Sequence, residues 1–160
     1  MSRHPEYESK IQDGIRRLTS ALDRVAFIQK TLGQETPGQK PPGQALGANS
    51  PVESAPASPL REALAFSWSQ AAWAAIELAQ AWVLSERLGF AKKETENFDL
   101  LVRAGHIELD VGRRLKQACE FRLLASRDEE KIDWAYFAQS DTSELTVLRD
   151  WANEWRNRWT

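Results

Sequence analysis

The chain has 160 residues, a formal net charge of −2 and a pI of about 5.8. This length allows one domain over residues 1–160, and the slightly acidic balance excludes a global basic field, so any nucleic-acid contact must be a local patch. The single cysteine, Cys119, excludes an internal disulfide and a thiolate-rich metal site.

The N-terminal residues, MSRHPEYESK, are polar and contain no apolar run of the kind found in a signal peptide. The most apolar segment, residues 60–89, contains Glu62, Gln70, Glu77 and Gln80, so a membrane span is not expected. A cytoplasmic protein is therefore predicted.

The first helix is predicted over residues 6–32. Its apolar residues step mostly by threes and fours and define a narrow seam of the coiled-coil type. They are Ile11, Ile15, Leu18, Leu22, Val25 and Leu32. Gly33 fits the end of this helix.

Residues 33–59 differ sharply in composition, with four glycines, six prolines and almost no apolar side chain. Such a segment can neither form a helix nor bury a core, and it is longer than an ordinary connection between helices. We interpret it as a flexible linker loop, although a proline-rich segment could also dock into an aromatic groove.

The helix from Leu60 to about Gly89 is predicted to be the central and most buried element. Its apolar residues form two overlapping stripes at helical spacing, and a helix that is apolar on several sides is buried on several sides. One stripe is Leu64, Trp68, Ala71, Ala75, Leu78 and Trp82, and the other is Trp73, Ile76, Ala79 and Val83. Arg87 in the last turn and Gly89 as a left-handed cap are expected to end it.

Three further helices are predicted next. A short helix in AKKETENFDLLVRAGHI is expected to have Thr95 as its cap and Gly105 as its end, a longer one begins at about Glu108, and a weaker one covers 131–139. The predicted inward residues are Phe98, Leu101 and Val102 in the first, Leu109, Leu115, Ala118 and Cys119 in the second, and Ile132 with Tyr136 or Phe137 in the third. The last helix is predicted to open at Asp141, with Glu144 in a capping-box pattern.

Two clusters could contact nucleic acid. One is the basic face of the fourth helix, Arg113, Arg114 and Lys116. The other is the stripe Leu145, Leu148, Trp151, Trp155 and Trp159, whose tryptophans lie beside Arg149, Arg156 and Arg158 and could stack bases. The structural interpretation is favoured for both: a solvated face for the first, and packing on the bundle or on a dimer partner for the second.

Four segments then follow one another in a recognisable order: the helix end ERLGF, the segment NFDLLVRAGHI, the helix GRRLKQACEFRLLASR and the acidic stretch DEEKIDWAYF. In this order, from Leu60 to about Tyr136, the chain resembles the HepT family of HEPN-domain proteins, and the first helix fits as well. The resemblance implies an all-α bundle of four to five main helices that forms a homodimer. It also implies a metal-independent ribonuclease toxin, without a cofactor, acting beside a minimal nucleotidyltransferase antitoxin.

The same resemblance locates a candidate active site. In that family the helix that here contains CEFR carries an arginine, an asparagine, a histidine five residues after the arginine, and a tyrosine. Arg122 matches the arginine, whereas Leu123, Arg127 and Glu129 stand at the asparagine, histidine and tyrosine positions. The candidate catalytic residues are therefore Arg122 and Arg127, in a motif that has lost three of its four functional side chains.

The loss of these side chains affects the proton transfer that RNA cleavage requires. Cleavage of RNA through its 2′-hydroxyl needs a group that exchanges a proton near neutral pH, as histidine does with its unperturbed pKa of about 6.5. Arginine stays protonated and cannot act as that base, but it can bind phosphate. Arg122 and Arg127 also lie about 140° apart on an ideal helix. We expect ribonuclease activity to be lost and weak RNA binding to remain.

Several interpretations stay open at this point. Arg122 is either a remnant that grips phosphate or a helix-end arginine paired with Glu120, Asp128 or Glu129. The chain as a whole is a degenerate HepT-like component that binds a partner or RNA, or a structural adaptor bundle, or a ribonuclease with a rebuilt site in which only His106 could be the base. Seven tryptophans favour a homodimer, because one bundle would struggle to bury them all.

Overall fold

The computed structural model describes residues 5–34, 59–127, 132–137, 139 and 142–159. These residues form five longer helices and one single-turn helix, and no strand occurs among them. The helices are α1 (Pro5–Gln34), α2 (Pro59–Ser85), α3 (Glu96–Arg103), α4 (Leu109–Arg127), α5 (Trp134–Phe137) and α6 (Ser143–Trp159). The predicted all-α bundle is confirmed.

The central position of α2 is also confirmed. Buried residues occur on nearly all of its sides, and it packs against α1, α3, α4 and α6. Because α2 is apolar almost all round, it gains most by lying inside the bundle rather than on its surface. Pro59 is its first residue, a position where the missing amide hydrogen of proline costs nothing.

Helices α1 and α2 lie side by side and run in opposite directions. Gly14 meets Leu78, and Arg17 forms an ion pair with Glu77 at 2.9 Å. A Cβ at position 14 would stand 2.9 Å from the Leu78 Cδ2 atom. Because Gly14 has no side chain, the two helices can approach each other closely at this point.

The end of α2 differs from the prediction. The helix stops at Ser85, and Arg87 has the left-handed φ of 56° that we expected at Gly89. The amides of Arg87 and of the residue after it bond back to the carbonyls of Leu84 and Val83 at 3.2 and 3.0 Å. This is a Schellman motif. Gly89 also has a positive φ, 115°, but it lies in the connection beyond this cap.

The short α3 ends at Arg103, and Gly105, with a φ of 74°, closes it as predicted. Phe98 and Leu101 are fully buried. Thr95 lies at its N-terminus but forms no capping bond with its side chain. In α4 the inward prediction for Leu109 is wrong, because that side chain is 74% exposed. Leu109 is six positions before Leu115, so an ideal helix turns it about 120° away from the buried stripe.

The single turn α5 is shorter than the helix predicted for 131–139. Ile132 is buried, and the ring of Phe137 packs 5.1 Å from Trp68 and 3.8 Å from Phe121, centroid to centroid. The side chain of Gln29, on α1, donates hydrogen bonds to the carbonyl of Phe137 at 2.9 Å and to that of residue 139 at 2.7 Å. This short element therefore ties α1, α2 and α4 together.

Helix α6 begins at Ser143. The Thr142 hydroxyl accepts the amide of Leu145 at 3.4 Å. The Glu144 carboxylate accepts the hydroxyl of Tyr136 at 2.5 Å and so joins α6 to α5. The predicted capping box pairs Glu144 with Asp141, which lies outside the described residues, so the capping box stays a prediction.

Among the tryptophans whose side chains the structure describes, four are buried: Trp68, Trp82, Trp151 and Trp155. Trp82, Trp151 and Trp155 form one aromatic cluster with centroids 5.0–5.9 Å apart. The structural interpretation of the α6 stripe is thus correct for Trp151 and Trp155, which no base can reach. Trp73 and Trp134 are only partly buried, and the homodimer stays a prediction.

The linker predicted over residues 33–59 lies almost entirely outside the described residues. Its first two residues complete α1, and residue 59 begins α2. No helix in the described part of the chain is both long enough and apolar enough to cross a membrane.

Candidate functional site

Arg122, the best-matched motif residue, lies in the last third of α4, three residues after the buried Cys119. Its Nη2 atom contacts the Glu94 Oε2 atom at 2.7 Å, and its Cζ atom lies 4.5 Å from the ring centroid of Trp73. Its side chain is 27% exposed. The guanidinium therefore has a carboxylate and an aromatic ring as partners before any ligand binds.

Glu94 was not among the partners that the sequence suggested, which were Glu120, Asp128 and Glu129. It lies in the connection between α2 and α3, 28 positions before Arg122. This connection is internally bonded: the Glu96 carboxylate accepts the amides of Lys92 and Lys93 at 2.9 and 3.2 Å, and the Asn97 side chain donates to the Glu94 carbonyl at 2.8 Å. The connection is thus shaped to present Glu94 to α4.

Trp73 supplies the other contact, from the middle of α2. A guanidinium over the face of an indole ring is attracted by the negative ring face, with an energy of about 0.5–2 kcal/mol depending on exposure. The Arg122 Nε atom is buried and has no hydrogen-bond partner among the described residues. Stacking therefore keeps Arg122 in a position where one of its donors is left unsatisfied.

The structure does not show where the side chains at the other motif positions lie. Arg127 is the last residue of α4, and its side chain, like that of Leu123, lies outside what the structure describes, as does Glu129 altogether. His106 stacks against Trp82 with ring centroids 5.0 Å apart. Since Trp82 and Trp73 are nine positions, or about 13 Å, apart along α2, a base at His106 would lie far from Arg122.

Cys119 is not a candidate nucleophile. Burial raises the pKa of its thiol from 9.0 to about 12, and the positive charge of Arg122 only partly opposes that shift. The thiol instead contacts the carbonyl of Ala72 at 3.6 Å, across the α2–α4 interface. Within the described ranges, no three His, Cys, Asp or Glu side chains lie close enough together to hold a metal ion.

The basic face of α4 is engaged within the protein, and each of its cations has an acceptor. Arg113 pairs with Asp110 at 2.6 Å, and Lys116 pairs with Asp99 at 2.8 Å. Arg114 donates to the carbonyl of Ser143 at 3.2 Å. These contacts favour the solvated-face interpretation over a nucleic-acid patch.

No protein-family model matches the sequence, and no curated protein matches it. Among solved structures, a chain of a toxin–antitoxin crystallised with AMP-PNP aligns with a TM-score of 0.70 at 14% identity, over 91% of this chain and 96% of the other.

Two further solved structures agree. A chain from the complex of a tri-AMPylated Shewanella oneidensis HEPN toxin with its MNT antitoxin aligns with a TM-score of 0.68 at 14% identity, over 89% of this chain and 93% of the other. A chain from a mutant of the toxin–antitoxin MntA-HpeT gives 0.68 at 16% identity, over 91% and 95%. The chain therefore has the helical-bundle fold of the HEPN toxin–antitoxin structures, as the resemblance implied.

Proposed function

We propose that this chain is a HepT-like component of a toxin–antitoxin type module, in which it binds a minimal nucleotidyltransferase and has lost ribonuclease activity. The single observation that carries the proposal is the fold likeness, which extends over nine-tenths of this chain and of each toxin–antitoxin chain. The segments quoted above, from ERLGF to DEEKIDWAYF, support the same assignment from the sequence.

The loss of catalysis follows from residue chemistry. Arg127 stands where the resemblance places a proton-transferring histidine, and an arginine cannot take up a proton near neutral pH. Arg122 keeps its charge, but Glu94 and Trp73 already occupy its guanidinium. A phosphate would have to displace the Glu94 carboxylate, so RNA binding at Arg122 is expected to be weak and salt-sensitive.

The module interpretation carries three further expectations. The chain forms a homodimer, it acts in the cytoplasm, and its contribution is to hold a partner or RNA rather than to cut RNA. The alternative is a structural adaptor bundle with no RNA contact. The engagement of Arg122 by Glu94 and Trp73 favours this alternative specifically, because a side chain fixed from two sides has the features of a structural arginine.

The test combines partner capture with cleavage. A minimal nucleotidyltransferase is sought among the neighbouring genes and co-expressed with the tagged full chain, and the purified chain alone is incubated with a generic RNA. We expect a stable two-protein complex and no cleavage above background. Absence of the complex would overturn the module assignment in favour of the adaptor.

Cleavage needs its own control. Robust cleavage by the wild type that disappears in Arg122→Ala would refute the loss of activity. His106→Ala would then be the next variant, since His106 is the residue named above as the base of a rebuilt site. Equal RNA binding by the wild type and by Arg122→Ala would remove Arg122 from the RNA contact.

A further inference from the structure

A groove of about 380 Å³ runs between α1 and α2. We call it the α1–α2 groove, and Arg122 is not among the described residues that line it. Its lining residues are Arg16, Arg17, Ser20, Arg24, Gln70, Trp73, Ala74 and Glu77. The volume lies in the range of about 300–1,000 Å³ that is usual for small-molecule sites.

The arginines of the groove are held to different degrees. Arg17 contacts Asp13 at 3.0 Å and Glu77 at 2.9 Å, and Arg16 contacts Asp13 at 3.5 Å. Arg24 donates to the Ser20 hydroxyl at 3.0 Å, and no carboxylate contacts it among the described residues. Arg24 is therefore the cation of this groove that can accept an anion without first giving up an ion pair.

Aromatic surface continues the groove. Trp73 is half-buried and forms part of its wall. Beyond Arg24, the side chains of Phe27 and Phe66 are 71% and 64% exposed. The antiparallel register that joins Gly14 to Leu78 places these two phenylalanines at the same level of the helix pair, about 15 Å along α1 from Arg17. The face thus alternates guanidinium groups with aromatic rings.

We propose that the α1–α2 groove binds a nucleotide, with its phosphate on Arg24 and its base against Trp73. Guanidinium groups match phosphate geometry with paired hydrogen bonds, and an aromatic ring accepts any base because every base has a π-face. The nucleotide is either free or part of a single strand, and a strand can extend onto Phe27 and Phe66. This site does not depend on the proposed module, because binding is measured on the isolated full chain.

The experiment measures binding of fluorescent or calorimetric probes at low and moderate salt. The probes are adenosine monophosphate, a short oligoadenylate, inorganic tripolyphosphate and a polyglutamate peptide of similar charge. We expect the two base-bearing probes to bind more tightly than tripolyphosphate or polyglutamate. Equal binding of all four would show a general anion surface and overturn the nucleotide site, and tighter binding of polyglutamate would assign the groove to an acidic protein segment instead.

Matched variants locate the site. Arg24→Gln is expected to weaken binding of the base-bearing probes about five- to tenfold, and to reduce the slope of log affinity against log salt by about 0.7 for the oligonucleotide. Arg113→Gln removes the same charge from an exposed position on α4. It should change the affinity and the salt slope only by the small, nonspecific effect of losing one positive charge. Equal losses in the two variants would overturn the assignment to this groove.

The aromatic part is tested separately. Trp73→Leu should weaken the base-bearing probes several-fold and leave tripolyphosphate binding unchanged, in protein shown by circular dichroism to be folded. If Trp73→Leu does not fold, the Gln70→Glu variant, whose new carboxylate faces Arg24 across the groove, is expected to weaken the same probes. Phe27→Ala with Phe66→Ala should weaken only the oligonucleotide if the natural ligand is a strand, and neither probe if it is a free nucleotide. No loss in any variant would refute the proposal.

Discussion

Replacing Arg122 by alanine tests whether this residue holds the bundle together. Three contributions are lost: an ion pair with the 53%-exposed Glu94 side chain, the stack on Trp73, and the packing of the arginine stem. A partly exposed ion pair contributes about 0.2–1 kcal/mol, and a guanidinium–indole contact contributes about 0.5–2 kcal/mol. Removal of the buried, unsatisfied Nε donor offsets roughly 1 kcal/mol of this loss.

The expected result is that Arg122→Ala lowers the free energy of unfolding by about 1–2 kcal/mol. The assay is urea denaturation followed by circular dichroism, because seven tryptophans make fluorescence hard to assign. The matched control is Arg113→Ala, the same change on the same helix, where the side chain is 68% exposed. That variant should stay within about 0.5 kcal/mol of the wild type.

A double-mutant cycle separates the ion pair from the stack. Arg122→Met combined with Glu94→Gln should give a coupling energy of about 0.5–1 kcal/mol. If Arg122→Ala changes stability no more than Arg113→Ala does, and the cycle gives no coupling, then the guanidinium is not held by Glu94 and Trp73. Arg122 would in that case be available for phosphate, and the argument for a structural arginine would fail.

Three other outcomes are expected. Gly112→Ala should lower the free energy of unfolding by about 1–2 kcal/mol in urea denaturation, because its Cβ would stand 2.5 Å from a Val102 methyl group, and this overlap outweighs the gain in helix propensity. Cys119 should resist a thiol reagent at pH 8 in folded protein and react in urea, since burial raises its pKa to about 12. Tyr136→Phe should slightly lower the free energy of unfolding at neutral pH. The hydrogen bond to Glu144 raises the pKa of the Tyr136 phenol above its usual value of 10.0, so the difference in stability between wild type and variant should disappear as the pH rises through that raised pKa. Denaturation curves recorded at a series of pH values measure this.

The sequence predicts the fold well because the fold depends on periodicity. The double stripe of α2 could be recognised in the residues alone, and the structure buries every residue of the two stripes except the half-buried Trp73. Helix ends were less predictable, because they depend on local competition for hydrogen bonds. Arg87 takes the left-handed position that suits glycine, and the Thr142 hydroxyl accepts an amide at the start of α6. The Glu144 carboxylate accepts the hydroxyl of Tyr136, a partner that only the folded chain brings near.

The candidate site was predictable in its members but not in its contacts. Arg122 could be found from its motif position, and its inward direction follows from the helical stripe. Its partner Glu94 could not be found, because an ion pair across 28 positions depends on how α3 and α4 return towards α2. Trp73 was counted as a core residue by its spacing, although it is half-buried and contributes to two neighbouring sites. Periodicity reports which side of a helix faces inward, but it does not report where the core ends.

Trp73 joins the two sites, and this makes their roles separable by experiment. Arg122 reaches its ring from α4, while Arg24 lies in the groove that the same ring helps to line. Glu94→Gln removes a partner of Arg122 that is absent from the groove, so it should lower the free energy of unfolding without weakening nucleotide binding. Arg24→Gln removes an exposed cation whose described contact is Ser20, so it should do the reverse. Urea denaturation and probe binding are therefore measured on both variants. If Arg122 is structural and Arg24 binds the ligand, each variant should lose only one of the two properties. A parallel pattern, with both variants losing both properties, would mean that the groove and the Arg122 contacts form a single site.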